Sequence, residues 1–166
     1  VFPRATVESV WRGIESGAVI VLTGANGTGK TLLACAMIRR RIHTPTARFP
    51  VPSGRYVTAK DLFDAMRTEE RYEPDRTREQ TNQFRRCGLL VIDEIDAIRG
   101  TDFEDLVMRD LIDFRWREGT KEAPKATLLI SNRDQASLET TLPNSVLDRA
   151  RGGGIFEMTG ESRRGA

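Results

Sequence analysis

The residues from Gly24 to Leu32, GANGTGKTL, carry the chemistry that the rest of the chain must serve. They fit the pattern G-x-x-x-x-G-K-[ST] at every fixed position. Glycines let a backbone curl around a polyphosphate with its N–H groups inward, through conformations that a Cβ hinders. The helix that follows directs the positive end of its dipole at the same anion. The stretch therefore predicts a nucleoside-triphosphate site, with Gly24, Ala25, Asn26, Gly27, Thr28, Gly29, Lys30, Thr31 and Leu32 around the nucleotide. Lys30 is expected on the β- and γ-phosphates, and the Thr31 hydroxyl on Mg²⁺.

A second chemical pair stands 62 residues later. The continuous apolar run Leu89-Leu90-Val91-Ile92 reads as a central parallel strand covered on both faces. It ends in Asp93-Glu94, where a division of labour is expected. Asp93 holds Mg²⁺ through water, and Glu94 polarises the attacking water. A third run, Ala126 to Ile130, ends in Ser131-Asn132. If that strand lies beside the Asp93 strand, the Asn132 amide falls near the γ-phosphate and can orient water. Otherwise Asn132 is a turn residue.

These residues need a scaffold, and the chain alternates accordingly. Val7, Val10, Trp11 and Ile14 recur at helical spacing before Gly17 breaks the turn, and Trp11 is expected against the core. The strand Ala18 to Leu22 feeds the glycine loop. The helix from Leu32 to Arg41 is apolar nearly all round and is expected to be largely buried. Its closing Arg39, Arg40 and Arg41 suit a helix C-terminus. His43 to Gly54, with three prolines, is a connection. A short strand at Tyr56-Val57-Thr58 precedes a helix from Lys60 to Arg67. Thr68 to Gln83 is polar and broken by Pro74, so it reads as a surface loop or a phosphate-contacting one. Thr101 and Glu104 form a capping box for a helix to Arg117, with Phe103, Leu106, Val107, Asp110, Leu111 and Phe114 in register. Asp96 and Arg99, just before it, read as surface residues. Ser145 to Ala150 is a short helix, and Ile155 to Met158 a last strand. Strand and helix in alternation predict an α/β sandwich with a mostly parallel sheet.

Composition sets outer limits. The chain has 166 residues, 39% hydrophobic and 30% charged, which suits one globular domain with a core. No apolar run approaches the roughly 20 residues that span a bilayer, so no membrane partner is expected. Cys35 and Cys87 lack CxxC spacing and accompany a single histidine, which supports no structural zinc site. Both thiols read as buried, and a reducing, cytoplasmic location follows. From Arg39 to Arg86 there are 12 Lys/Arg against 7 Asp/Glu. That balance predicts either a solvated helical surface or contact with a nucleic-acid backbone through Lys60, Arg67, Arg71, Arg76 and Arg78. The chain starts at Val1, which leaves room for an upstream domain before the lead-in 1–17.

Four separated blocks, GANGTGKT, LLVIDEID, LLISN and VLDRARGGGIFEMTGESRR, together resemble the AAA+ ATPases of the DnaC/DnaI helicase-loader and IstB transposition-helper group. The resemblance covers about Gly17 to Arg164. It implies a P-loop NTPase three-layer sandwich whose five parallel strands run in the order 5-1-4-3-2, with no C-terminal lid. It further implies Lys30 and Thr31 as Walker A, Asp93 and Glu94 as Walker B, and Asn132 as sensor 1. Arg149 would be the arginine finger, acting on ATP bound by a neighbouring subunit of a homo-oligomer. Loaders engage a replicative helicase and single-stranded DNA; IstB proteins engage a transposase and duplex DNA. The loader is the first expectation and the transposition helper the second. A small-molecule kinase is a third, but it needs neither Glu94 nor a finger at Arg149. Two features depart from the group: the lead-in is short, and Arg163 stands where an aromatic often follows the GES-like element.

Overall fold

In the computed structural model, residues 3–43, 53–71 and 74–160 are described, with side chains omitted at 68–78 and 80. The GES-like tail beyond Gly160 and most of the connection between His43 and Gly54 lie outside the described residues.

The first helix, α1 (Arg4–Ser16), buries Val10, Trp11 and Ile14 and ends at Gly17, which has φ 76°. That left-handed turn aims the chain into β1 (Val19–Thr23), every residue of which is buried. After the glycine loop come α2 (Lys30–His43), β2 (Gly54–Thr58), α3 (Ala59–Arg71) and α4 (Pro74–Arg86). Then follow β3 (Leu89–Asp93), a 3₁₀ turn at Ile95–Ala97, α5 (Asp102–Glu118) and β4 (Ala126–Ile130). The chain closes with α6 (Leu138–Thr141), α7 (Asn144–Gly153) and β5 (Ile155–Glu157).

The five strands are all parallel, in the order β2-β3-β4-β1-β5. This is the order 5-1-4-3-2 read from the other edge. Side chains alternate between two cores, as a strand period of two requires. Ile20, Leu22, Leu89, Val91, Leu128 and Ile130 pack with α1 and α2. Val19, Val21, Leu90, Ile92 and Leu129 pack beneath α3, α4, α5 and α7. The result is the expected three-layer sandwich. Trp11 is 5% exposed, with the Arg40 guanidinium 4.1 Å from its ring centre.

Several local expectations are corrected. The polar stretch 68–83 is helical for most of its length rather than a loop: α3 runs on to Arg71, and Pro74, which does divide the stretch, is the first residue of α4. Proline is well suited to that position, where its missing N–H has no intrahelical partner to lose. Thr81 and Phe84 of α4 are buried, and Phe84 joins the core beneath α3 and α5. The helix α2 is not covered all round: Leu32 is 59% exposed and Cys35 is exposed, whereas Leu33, Ala34 and Met37 face the sheet. On α5 the buried residues are Glu104, Met108, Leu111, Ile112 and Arg115; of the expected register, Phe103 and Val107 pack partly buried against the core, whereas Leu106 is 49% exposed. Arg115 extends this buried face: it is 1% exposed and donates to Thr127 Oγ1 and to the carbonyls of Phe84, Cys87 and Ala126. The capping box forms as expected, Glu104 N–H donating to Thr101 Oγ1 and Thr101 N–H to Glu104 Oε2.

The two thiols therefore differ. Cys87 is buried, and burial pushes its thiol up from the ordinary range. A thiol reagent applied to the native protein is expected to label Cys35 and to reach Cys87 only after unfolding. Mass mapping of the labelled residues checks this.

Candidate nucleotide site

The glycine loop leaves β1 at Thr23 and enters α2 at Lys30. Gly24, Gly27 and Gly29 have φ of 127°, 82° and 95°, all in the left-handed half that glycine tolerates. Gly24 is constrained twice, because a Cβ there would stand 2.3 Å from the Met158 carbonyl oxygen where the chain leaves β5. Lys30 is 4% exposed, and its ammonium donates to the carbonyls of Gly24 (2.7 Å) and Ala25 (2.8 Å). The loop backbone thus holds the Lys30 charge at its own centre, where a polyphosphate would meet it. Asn26 and Leu32 are exposed at the rim.

The second chemical pair meets the first. Thr31 Oγ1 donates to Asp93 Oδ2 at 2.8 Å, across 62 residues of sequence. Asp93 is 4% exposed, and its other oxygen accepts the Glu94 backbone N–H at 2.7 Å. Glu94 has φ 57°, the one non-glycine residue with positive φ among those described. Such a conformation costs about 1–3 kcal/mol and persists where surrounding structure imposes it. Here the 3₁₀ turn follows at once, with Ala97 N–H donating to the Glu94 carbonyl. The Glu94 side chain is exposed at the mouth of β3.

The donor set fits Mg²⁺. Thr31 Oγ1 and Asp93 Oδ2 are hard oxygen ligands already in contact. Among the described residues no group of three or more His, Cys, Asp or Glu could cage a metal. Magnesium suits such a site, since it is held by one or two protein oxygens plus substrate phosphates and keeps several waters.

The condition set for Asn132 is met, because β4 pairs with β3 and lies between β3 and β1. Asn132 therefore leaves the sheet between the strand of Asp93 and the strand of the glycine loop. It is half-buried, and its backbone N–H donates to Asp96 Oδ2 at 2.8 Å. Asp96 is thus not a mere surface residue. Arg99 is exposed, as expected.

Arg149 lies elsewhere. It is ion-paired with Asp113 of α5, and its guanidinium is 5.8 Å from the ring centre of Trp116. It lines a cleft of about 660 Å³ with Ser16 and Ala18, at the entry to β1. The glycine loop is at the exit of β1, six residues and so roughly 20 Å along an extended strand from Ala18.

Of the basic residues expected at a nucleic acid, Lys60 pairs with Asp64 at 2.8 Å. Arg67 lies 3.9 Å from Asp64 and 4.9 Å from the ring centre of Phe103. Arg71 belongs to α3, and Arg76 and Arg78 to α4; their side chains lie outside the described residues.

One residue of the site had no role in the sequence reading. Tyr56, read in the sequence as part of a short strand, donates its hydroxyl to Asp93 Oδ2 at 2.7 Å. Burial of the hydroxyl raises its pKa, and the hydrogen bond to Asp93 raises it further. The parallel register places Tyr56 opposite Val91 and Thr58 opposite Asp93. Tyr56 thus shares a sheet face with Asp93 and is long enough to reach it diagonally. The resemblance set strand 2 beside strand 3, but the register that brings Tyr56 to Asp93 was not written in either strand.

Comparisons with known proteins agree with this fold. The chain is 25% identical over 134 residues to the replicative helicase loader DnaC of Escherichia coli (strain K12), covering 81% of this chain and 50% of that protein. The chain spans about half the length of the curated relatives it matches. A solved structure of the DnaC helicase loader superposes with a TM-score of 0.70 at 17% identity, covering 93% of this chain and 87% of that one. The replication initiator DnaA bound to AMPPCP and single-stranded DNA superposes with a TM-score of 0.72 at 21% identity, covering 95% and 46%. A family profile described as an AAA domain matches residues 14–130, from the last turn of α1 to the end of β4, and the chain belongs to that family of P-loop ATPases.

Proposed function

We propose that this chain is the ATP-hydrolysing domain of a replicative helicase loader, working with Mg²⁺ in a homo-oligomer on single-stranded DNA in the cytoplasm. The observation that carries the ATPase reading is the Thr31–Asp93 hydrogen bond, which joins the two sequence blocks into one phosphate-and-metal site. The loader reading draws on similarity to DnaC across 81% of the chain.

In this reading the glycine loop and Lys30 bind the β- and γ-phosphates, and Thr31 and Asp93 hold Mg²⁺. The ion supplies charge neutralisation at the phosphate oxygens. Glu94, projecting from the end of β3, takes the proton of the attacking water. Asn132 orients that water. Arg149, remote from its own glycine loop, serves the γ-phosphate of an adjacent copy.

Phosphate release, followed with and without single-stranded DNA, and copurification of the full-length protein with its host's replicative helicase test this reading. A transposase in place of the helicase would favour the transposition helper, and phosphoryl transfer to a small acceptor would favour a kinase.

The DNA contact gives a separate expected result. If Lys60, Arg67, Arg71, Arg76 and Arg78 meet backbone phosphates, affinity for an oligothymidine falls with salt at a log–log slope of about −0.7 per phosphate neutralised. Charge reversal of Arg71, Arg76 and Arg78 together weakens binding and makes that slope shallower. Binding indifferent to salt, or unchanged by the reversal, removes this surface from the account.

A further inference from the structure

Asp96 is the only side chain among those described that bridges the turn after β3 to the turn after β4. Its Oδ1 accepts the Ser131 hydroxyl at 2.5 Å, and its Oδ2 accepts the Asn132 backbone N–H at 2.8 Å. Ser131 is 1% exposed, and its Oγ accepts the Arg133 N–H at 3.0 Å. The Arg133 carbonyl lies 3.4 Å from the Gly24 N–H, at the start of the glycine loop. One carboxylate therefore links three segments: the turn that follows Glu94, the turn that carries Asn132, and the entrance to the phosphate loop.

The chemistry of the link is specific. An ionised carboxylate is acceptor-only, and here both of its oxygens face donors. Charge-assisted bonds of this kind are shorter and stronger than neutral ones. The bond to the backbone N–H of Asn132 fixes the peptide from which the Asn132 amide projects. Asp96 is held in turn by the 3₁₀ turn Ile95–Ala97, anchored by the fully buried Ile95 and by the left-handed Glu94.

We propose that Asp96 is a positioning residue for hydrolysis, acting through Asn132 by setting where its side-chain amide stands relative to the water that Glu94 activates. The proposal rests on the reading of Asn132 as the water-orienting amide. Asp96 touches neither nucleotide nor metal in this scheme. A displacement of about 1 Å in such a group costs on the order of 10²-fold in rate. The glycine loop meets Asp96 only at one remove, through Ser131 and the Arg133 backbone, so phosphate binding is expected to change little.

The test is a double-mutant cycle on kcat for ATP, with nucleotide affinity and thermal stability measured alongside. Asp96→Ala is expected to lower kcat about 10- to 100-fold while nucleotide affinity stays within about threefold. Ser131→Ala, which leaves the bond to Asn132 intact, loses less. In an Asn132→Ala background, Asp96→Ala costs less than about twofold more, because the group it positions is already gone. The isosteric Asp96→Asn, which keeps an acceptor for only one of the two donors, the Ser131 hydroxyl and the Asn132 N–H, takes the place of Asp96→Ala if the latter does not fold. Full, additive losses of kcat in both backgrounds, an unchanged kcat, or a loss of nucleotide affinity equal to the loss of kcat would overturn the proposal. An Asn132→Ala enzyme at the wild-type rate would instead overturn the reading of Asn132, and the proposal with it.

Discussion

Arg149→Ala is expected to bind ATP normally and to lose on the order of 10³ to 10⁵ in the hydrolysis rate that assembly stimulates, the range for arginine fingers in phosphoryl transfer. The physical case starts from position. Arg149 stands near Ala18 and Ser16, at the end of β1 away from the glycine loop, so it has no reach to the γ-phosphate of its own chain. Its guanidinium is instead presented beside the exposed Trp116 and held by Asp113. A guanidinium brought to a neighbour's γ-phosphate neutralises charge spread over the equatorial oxygens as the bond breaks. Hydrolysis per molecule should then rise with protein concentration or on a DNA scaffold, and Arg149→Ala should abolish that rise. Arg149→Lys should rescue little, because an ammonium lacks the planar fork of donors. A rate independent of concentration in the wild-type protein, with Arg149→Ala equally active, would leave Arg149 a structural partner of Asp113.

Glu94→Gln is expected to keep ATP and Mg²⁺ affinity and to lose about 10²- to 10⁴-fold in turnover, the usual worth of a positioned general base. The substitution removes the proton acceptor but not the shape, and it leaves Asp93 with its Thr31 and Tyr56 contacts. It also leaves the backbone turn intact, since glutamine tolerates the φ of 57° about as poorly as glutamate does and the same neighbours impose it. Equilibrium nucleotide binding and single-turnover phosphate release on the same preparation separate the two effects. Turnover at the wild-type rate would remove Glu94 from the chemistry.

The parts of the site that were legible in the sequence are those written as local pattern. The glycine loop and the strands Val19–Thr23, Leu89–Asp93 and Ala126–Ile130 are continuous runs bounded by polar chemistry, and each lies where its pattern placed it. The strand order came through the resemblance, because nothing local says that β4 separates β1 from β3. What was hidden depends on contacts between distant segments. Asp96 looks like one more acid in a polar turn until β4 brings Ser131 and Asn132 alongside it. Tyr56 joins Asp93 only because of the β2–β3 register. Arg115, a charged residue inside the core, escapes any periodicity that scores apolar side chains. The helix from Pro74 escaped for the converse reason: little of it is apolar, so its pattern carried no helical signal and its proline read as a break.

The central claim is that a working site is completed by two copies of this chain, one supplying Glu94 and the other Arg149. Mixing Glu94→Gln with Arg149→Ala tests it most directly. Each protein alone should hydrolyse ATP at background level. In a mixed assembly, the Arg149→Ala copy offers an intact Walker site and the Glu94→Gln copy an intact finger, so the account predicts that phosphate release recovers as the two are titrated together. No recovery, in a mixture whose co-assembly has been demonstrated with differently tagged copies, would contradict it.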